Sequence, residues 1–169
     1  VFKTIAIDCT KLNCNAKRAT EDNMAIYNQM CEQLRLNGVS EKSKVLYYFK
    51  IISKHSKADI HAEVYRRKRK KKTSKHYLAL PNINISHQSD VLYVGKTNSN
   101  FPIRLMHHLG MVESHTYALQ LGHWGNSLGL EVELCYSAID ISTDDIAYLE
   151  IMETSLHNKL QPILGRSGH

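Results

Sequence analysis

Asp90–Gly110 reads DVLYVGKTNSNFPIRLMHHLG. Its first residues are β-branched and aromatic and stop at Gly95, which predicts a strand from Asp90 to Gly95. A polar turn follows, and Pro102 then opens a helix to about Leu109, since proline is tolerated in a first helical turn. This strand–turn–helix order brings Tyr93, Lys96, Arg104 and His108 into one neighbourhood. Arg104 and His108 are four residues apart and share a helix face. Leu105 and Leu109 make the adjacent face the buried one, which sets Arg104 and His108 at the boundary of core and solvent. A merely exposed basic face would show the same spacing, and His107 competes with His108.

Outward from this stretch, Lys44–Ile52 (KVLYYFKII) reads as a strand, with Tyr47 and Tyr48 on opposite faces of it. Leu130–Ala138 alternates as a third strand. Met24, Tyr27, Cys31 and Leu34 recur at helical spacing between an N-cap at Thr20, acidic Glu21 and Asp22, and a stop at Gly38, predicting a helix over 21–36. A short helix is expected over Ser114–His123, with a turn at Gly125–Gly129. Ser142 or Thr143 caps a last helix, with Asp144 and Asp145 in its first turn, and that helix ends before Pro162. Ile5 and Ile7 alternate with polar neighbours and suit a short strand. The core reads as three strands interspersed with helices, a small α/β or α+β layered fold in one domain.

The 169 residues suffice for a real core, and the hydrophobic fraction of 43% excludes a disordered tail. A net charge of +6 favours a polyanionic partner. Cys9, Cys14, Cys31 and Cys135 are too scattered for a zinc set and read as free thiols of a reducing cytosol. No apolar run is long enough to span a bilayer, so a membrane is not expected as partner and the location is read as cytoplasmic.

On the last helix, Ile146, Leu149, Leu156 and Leu160 form an apolar stripe at 100° per residue, and Glu153 falls inside it. A carboxylate there is costly to desolvate unless it is paired or holds a metal ion. His157 borders the same face. Taken together, these residues suit phosphodiester hydrolysis, which needs an activated water, a counter-charge for the transition state and help for the leaving oxygen. An arginine clamps a phosphate oxygen. A tyrosine serves as base where neighbouring cations lower its pKa. A single carboxylate suits Mg²⁺, which keeps most of its waters.

Tyr93-Val94-Gly95, with Arg104 and His108 on the next helix and Glu153 nine residues before Pro162, resembles the GIY-YIG nuclease superfamily. Val45-Leu46-Tyr47 is similar to the first half of that signature, and Tyr48-Phe49 to the aromatic pair that often follows it. The resemblance covers residues 44–166 and implies a three-stranded antiparallel sheet flanked by helices. It also implies a Mg²⁺ (or Mn²⁺) ion on Glu153, Lys96 and Arg104 on the phosphate, and His108 orienting a group or relaying a proton. Tyr47 or Tyr93 would position or deprotonate the attacking water. Two departures stand out: about forty residues separate the tyrosine motifs, where the family has a short hairpin, and Gly165 stands where the family often has asparagine.

The expected organisation is a helical extension over 1–43, a core over 44–52 and 90–166, and a basic insertion over 53–89. The insertion carries Arg66, Arg67, Lys68, Arg69, Lys70, Lys71 and Lys72, an all-basic run suited to DNA phosphates without base readout. Tyr65, Asn82, Asn84, His87 and Gln88 are candidates for base edges. A compact nuclease with its own basic insertion looks most like a type II restriction endonuclease, bacterial and acting on double-stranded DNA as a homodimer on a palindromic site. The competing readings are a repair, mobile-element or structure-specific nuclease and a non-catalytic nucleic-acid-binding module.

Overall fold

The computed structural model describes residues 1–13, 21–141 and 145–167. Cys14, Thr20, Ser142, Thr143 and Asp144 lie outside the described residues. Strands β1 (Lys3–Asp8), β2 (Lys44–Ile51), β3 (Val91–Thr97) and β4 (Glu131–Ile139) form one antiparallel sheet in the order β1-β4-β2-β3. The three expected strands are present, but the sheet has four. Ile5 and Ile7 pair opposite Leu134 and Val132 and are buried, which makes the N-terminal segment, with α1 (Glu21–Leu36), part of the sheet fold rather than a helical extension alone.

Helices α3 (Phe101–Leu109) and α5 (Ile146–Leu160) follow the expected bounds closely. The expected helix over Ser114–His123 is absent; α4 runs over Leu121–Leu128, across the expected turn. Competing hydrogen bonds account for the shift. Buried Gln120 donates its amide to the carbonyls of Ser114 (2.9 Å) and Thr116 (3.2 Å), acceptors a helix would need. Gly125 serves close packing within α4, where an added Cβ would meet Cys9 at 3.1 Å. Trp124, Tyr47, Tyr136, Phe49 and Phe101 are the largest wholly buried side chains, and full burial of one such group stabilises by roughly 1.5–3 kcal/mol.

The insertion between β2 and β3 is itself structured. Ser56 caps α2 (Lys57–Lys68) by accepting from Asp59 N–H at 3.0 Å, and Ile60 and Val64 bury one face of that helix. Its later part grips the chain that follows α5. Asn84 Nδ2 donates to the carbonyls of Pro162 (3.0 Å) and Gly165 (2.6 Å). His87 bonds the Pro162 carbonyl at 2.7 Å, His61 the Ile163 carbonyl at 3.3 Å, and Ile83 bridges Leu164. Asn84 and His87 are thus engaged with the C-terminal segment, not presented to base edges.

Candidate active site

Strand register decides which tyrosine enters the site. Tyr47 pairs opposite Gly95 and Phe49 opposite Tyr93, so Tyr47, Tyr93 and Gly95 share one face of the sheet. Tyr48 faces the other way, its ring 5.2 Å from that of Phe2. The rings of Tyr47 and Tyr93 lie 6.4 Å apart. They fit because residue 95 is glycine: an added Cβ would fall 2.5 Å from Tyr47 Oη and 2.9 Å from the Tyr93 ring. Gly165 does the same from the C-terminal segment, with its backbone in the left-handed region (φ +90°) and a Cβ position 2.8 Å from Tyr93.

Helix α3 brings Arg104 and His108 onto these rings. His108 is fully buried, deeper than the expected core boundary. Its pKa is held well below the ordinary value, first by burial and then by the charges of Arg104 and His107, so the ring is neutral. Leu119 N–H donates to His108 Nδ1 at 3.1 Å. The ring proton therefore sits on Nε2, which donates to Tyr47 Oη at 2.8 Å. In this tautomer His108 cannot take a proton from Tyr47; it steadies the phenolic oxygen, which favours orienting over relaying.

Tyr47 is wholly buried, and burial raises its pKa, with Tyr93 and Glu153 adding to the effect and Arg104 opposing it. Tyr47 is a protonated phenol behind the site. Tyr93 instead lines a cavity of about 490 Å³ together with Arg104, Lys68, Asn82, Tyr117 and Arg166. Arg104 donates to Tyr93 Oη at 3.5 Å and to the Tyr117 carbonyl at 2.8 Å, which fixes its guanidinium at the cavity wall. Burial works against the Arg104 charge, but Tyr47 and Tyr93 outweigh it and the pKa lies above its ordinary value.

Lys96 and Glu153 form a second group. Lys96 alternates to the face opposite Gly95, against α5, where its Nζ lies 4.0 Å from Glu153 and 3.8 Å from Glu150. On α5 the buried positions are Leu149, Glu153 and His157, while Ile146 of the expected stripe is 40% exposed. Glu153 is 1% exposed and does not line the cavity, yet its charge reaches Tyr47. Among the described residues no three His, Cys, Asp or Glu side chains gather into a metal cage. A lone carboxylate fits an oxygen-seeking Mg²⁺ that keeps its waters, not a caged zinc.

The basic run divides by direction. Arg69, Lys70, Lys71 and Lys72 are exposed, and Arg66 is exposed but paired with Glu63 at 2.7 Å. Arg67 and Lys68 turn inward. Lys68 Nζ donates to the carbonyls of Leu80 (2.9 Å) and Pro81 (3.1 Å) at the cavity wall. Read as a helix, the spacing Ile60–Val64–Lys68 reveals this, because each step of four returns to the buried face. Asn82, Tyr117 and Arg166 had no comparable signal as cavity residues. Replacing Lys70, Lys71 and Lys72 by glutamine should weaken DNA binding evenly across sequences and flatten the salt dependence by up to about three phosphate contacts. Affinity titrations over a salt series check this; a loss confined to one sequence would contradict it.

No helix among the described residues is long and apolar enough to cross a membrane. Comparison with family models, with curated proteins and with solved structures found no match to this chain.

Proposed function

We propose that this chain is a Mg²⁺-dependent endonuclease of the GIY-YIG type that hydrolyses phosphodiester bonds of double-stranded DNA in the manner of a type II restriction enzyme. The observation that carries the reading is the convergence of Tyr47, Tyr93, Arg104 and His108 from three separate elements, with Tyr93 and Arg104 lining a cation-bearing cavity and Tyr47 and His108 buried behind them. Arg104 is fixed for a non-bridging phosphate oxygen and would stabilise the charge that grows there in the transition state. Tyr93 opens on the cavity while Tyr47 is buried, so Tyr93 is the phenol assigned to the attacking water. His108 holds Tyr47, and Tyr47 with Gly165 holds the Tyr93 ring in place. Asn82, beside Gly165 in the cavity wall, supplies an amide near the position where the family often has asparagine. Glu153 would hold the metal ion, which when bound supplies charge stabilisation for the leaving oxygen. Lys96 Nζ lies 4.0 Å from that carboxylate and offers it a counter-charge. A homodimer would present two such cavities to a palindromic site.

The test is to incubate the protein with unmethylated phage and plasmid DNA and Mg²⁺. Discrete fragments are expected; nicking or a smear removes the restriction role and keeps the nuclease, and intact DNA of every form removes both. In the same assay Tyr93→Phe should cost more activity than Tyr47→Phe, and the reverse order would move the water to Tyr47. A second reading, a non-catalytic nucleic-acid-binding module, is favoured by one observation: Glu153 is buried beside Lys96 and away from the cavity wall, as in a purely structural pair.

A further inference from the structure

The cavity beside Tyr93 carries more positive charge than one phosphate requires. Three of its nine lining residues, Lys68, Arg104 and Arg166, are cations, and none is a carboxylate. None of the three takes part in an ion pair among the described residues. Arg104 stands with Tyr93. Lys68 and Arg166 come from the insertion and the C-terminal segment, and they are close enough that the Arg166 charge, after burial, pulls the Lys68 ammonium below its ordinary pKa. Two like charges held together at a partly buried wall, with no acid between them, repel one another until an anion bridges them.

Lys68 is also built for this. Two of its three N–H groups are spent on the carbonyls of Leu80 and Pro81, which anchor the ammonium and leave one donor for a ligand. Besides the cations, the cavity is lined by Tyr93 and Tyr117 and by Leu80 and Pro81. Such surfaces suit a sugar and a stacked base. The volume of about 490 Å³ lies within the range of small-ligand sites.

We propose that Lys68 and Arg166 form a second phosphate site, one nucleotide along the strand from the phosphate held by Arg104, so that the cavity accepts a nucleotide unit with a phosphate at each end. The proposal rests on the nuclease reading for the identity of the phosphate at Arg104, and on the cavity's three cations, with no carboxylate among its lining residues, for the second phosphate. It separates Lys68 from the exposed part of the basic run, since Lys68 meets one defined phosphate inside the cavity.

The test is calorimetric titration of the full chain in metal-free buffer with a deoxynucleoside 3′,5′-bisphosphate, and with the matching 3′- and 5′-monophosphates. The wild type should prefer the bisphosphate by about tenfold or more, the usual worth of one added charge-assisted contact. Arg166→Gln should abolish that preference and leave monophosphate binding in place; Arg166 is exposed, so this variant keeps the fold. Lys68→Met should act likewise, with its melting temperature recorded because it uncovers two carbonyls. Arg35→Gln, which removes an equal charge from a surface pair with Glu32, should keep the preference. Equal binding of bisphosphate and monophosphates by the wild type, or a preference that survives Arg166→Gln, overturns the second site. Because these titrations need no cleavage, a bisphosphate preference in a chain that never cuts DNA upholds the site and sinks the nuclease. Cleavage without the preference does the opposite.

Discussion

Glu153→Ala abolishes cleavage and leaves metal-free DNA binding nearly intact, if the carboxylate is the metal ligand. The expectation follows from the assignment of the ion to Glu153, since no group of three or more His, Cys, Asp or Glu side chains among the described residues offers another cage. Removing one partner of a buried pair generally costs about 3–5 kcal/mol. Here the cost should fall below that range, because Glu150 lies 3.8 Å from Lys96 and remains as its partner. Glu153→Gln is the cleaner probe, since it keeps the volume and removes the charge. Cleavage rates and denaturant midpoints measured on both variants separate chemistry from folding. Full cleavage by a folded Glu153→Gln protein would take Glu153 out of the mechanism.

Arg104→Ala is expected to slow the chemical step by roughly a hundredfold or more, the usual worth of one transition-state counter-charge. Single-turnover rates at saturating protein isolate that step from binding. Arg104→Lys should not restore the rate, since an ammonium cannot reproduce a planar guanidinium held between the Tyr93 hydroxyl and the Tyr117 carbonyl. A rate near wild type in Arg104→Ala would mean that the phosphate sits elsewhere. An equal loss in affinity and no loss in rate would reassign Arg104 to binding.

Much of the core was legible because its signals are local. β-branched and aromatic runs marked β2 and β3 and alternation marked β4, each within two residues of the observed bounds, and the Asp90–Gly110 stretch holds the strand and helix that carry Tyr93 and Arg104. The part that was not legible depends on long-range partners. The short strand at Ile5 and Ile7 was legible, but its place in the sheet was not, because that depends on the edge β4 offers it. Helix α4 starts late because Gln120 and His108, neither of them a turn residue, capture the backbone groups of residues 114–119. For the candidate site, the Asp90–Gly110 stretch grouped Tyr93, Lys96, Arg104 and His108 and the family resemblance added Tyr47, and the structure brings Tyr47, Tyr93, Arg104 and His108 together. It keeps Lys96 and Glu153 apart as their own pair, because strand alternation turns Lys96 away from Gly95. The division of the basic run was hidden, since composition counts charges and not the faces on which they lie.

The grip of Asn84, His87 and His61 on the carbonyls of Pro162, Ile163 and Gly165 bears on how this chain could have come about. A segment that merely decorated a hairpin could be trimmed back to a short turn. This one is paired into the fold: Asn82 and Asn84 exchange backbone hydrogen bonds with Gly165 and Ile163, the insertion's side chains hold further carbonyls of the same stretch, and Gly165 then closes on Tyr93. Shortening the loop would strip the carbonyls of Pro162, Ile163 and Gly165 of their donors and loosen a wall of the cavity. Loop and tail are therefore locked into a joint history, in which neither can be lengthened, shortened or exchanged without rebuilding the other.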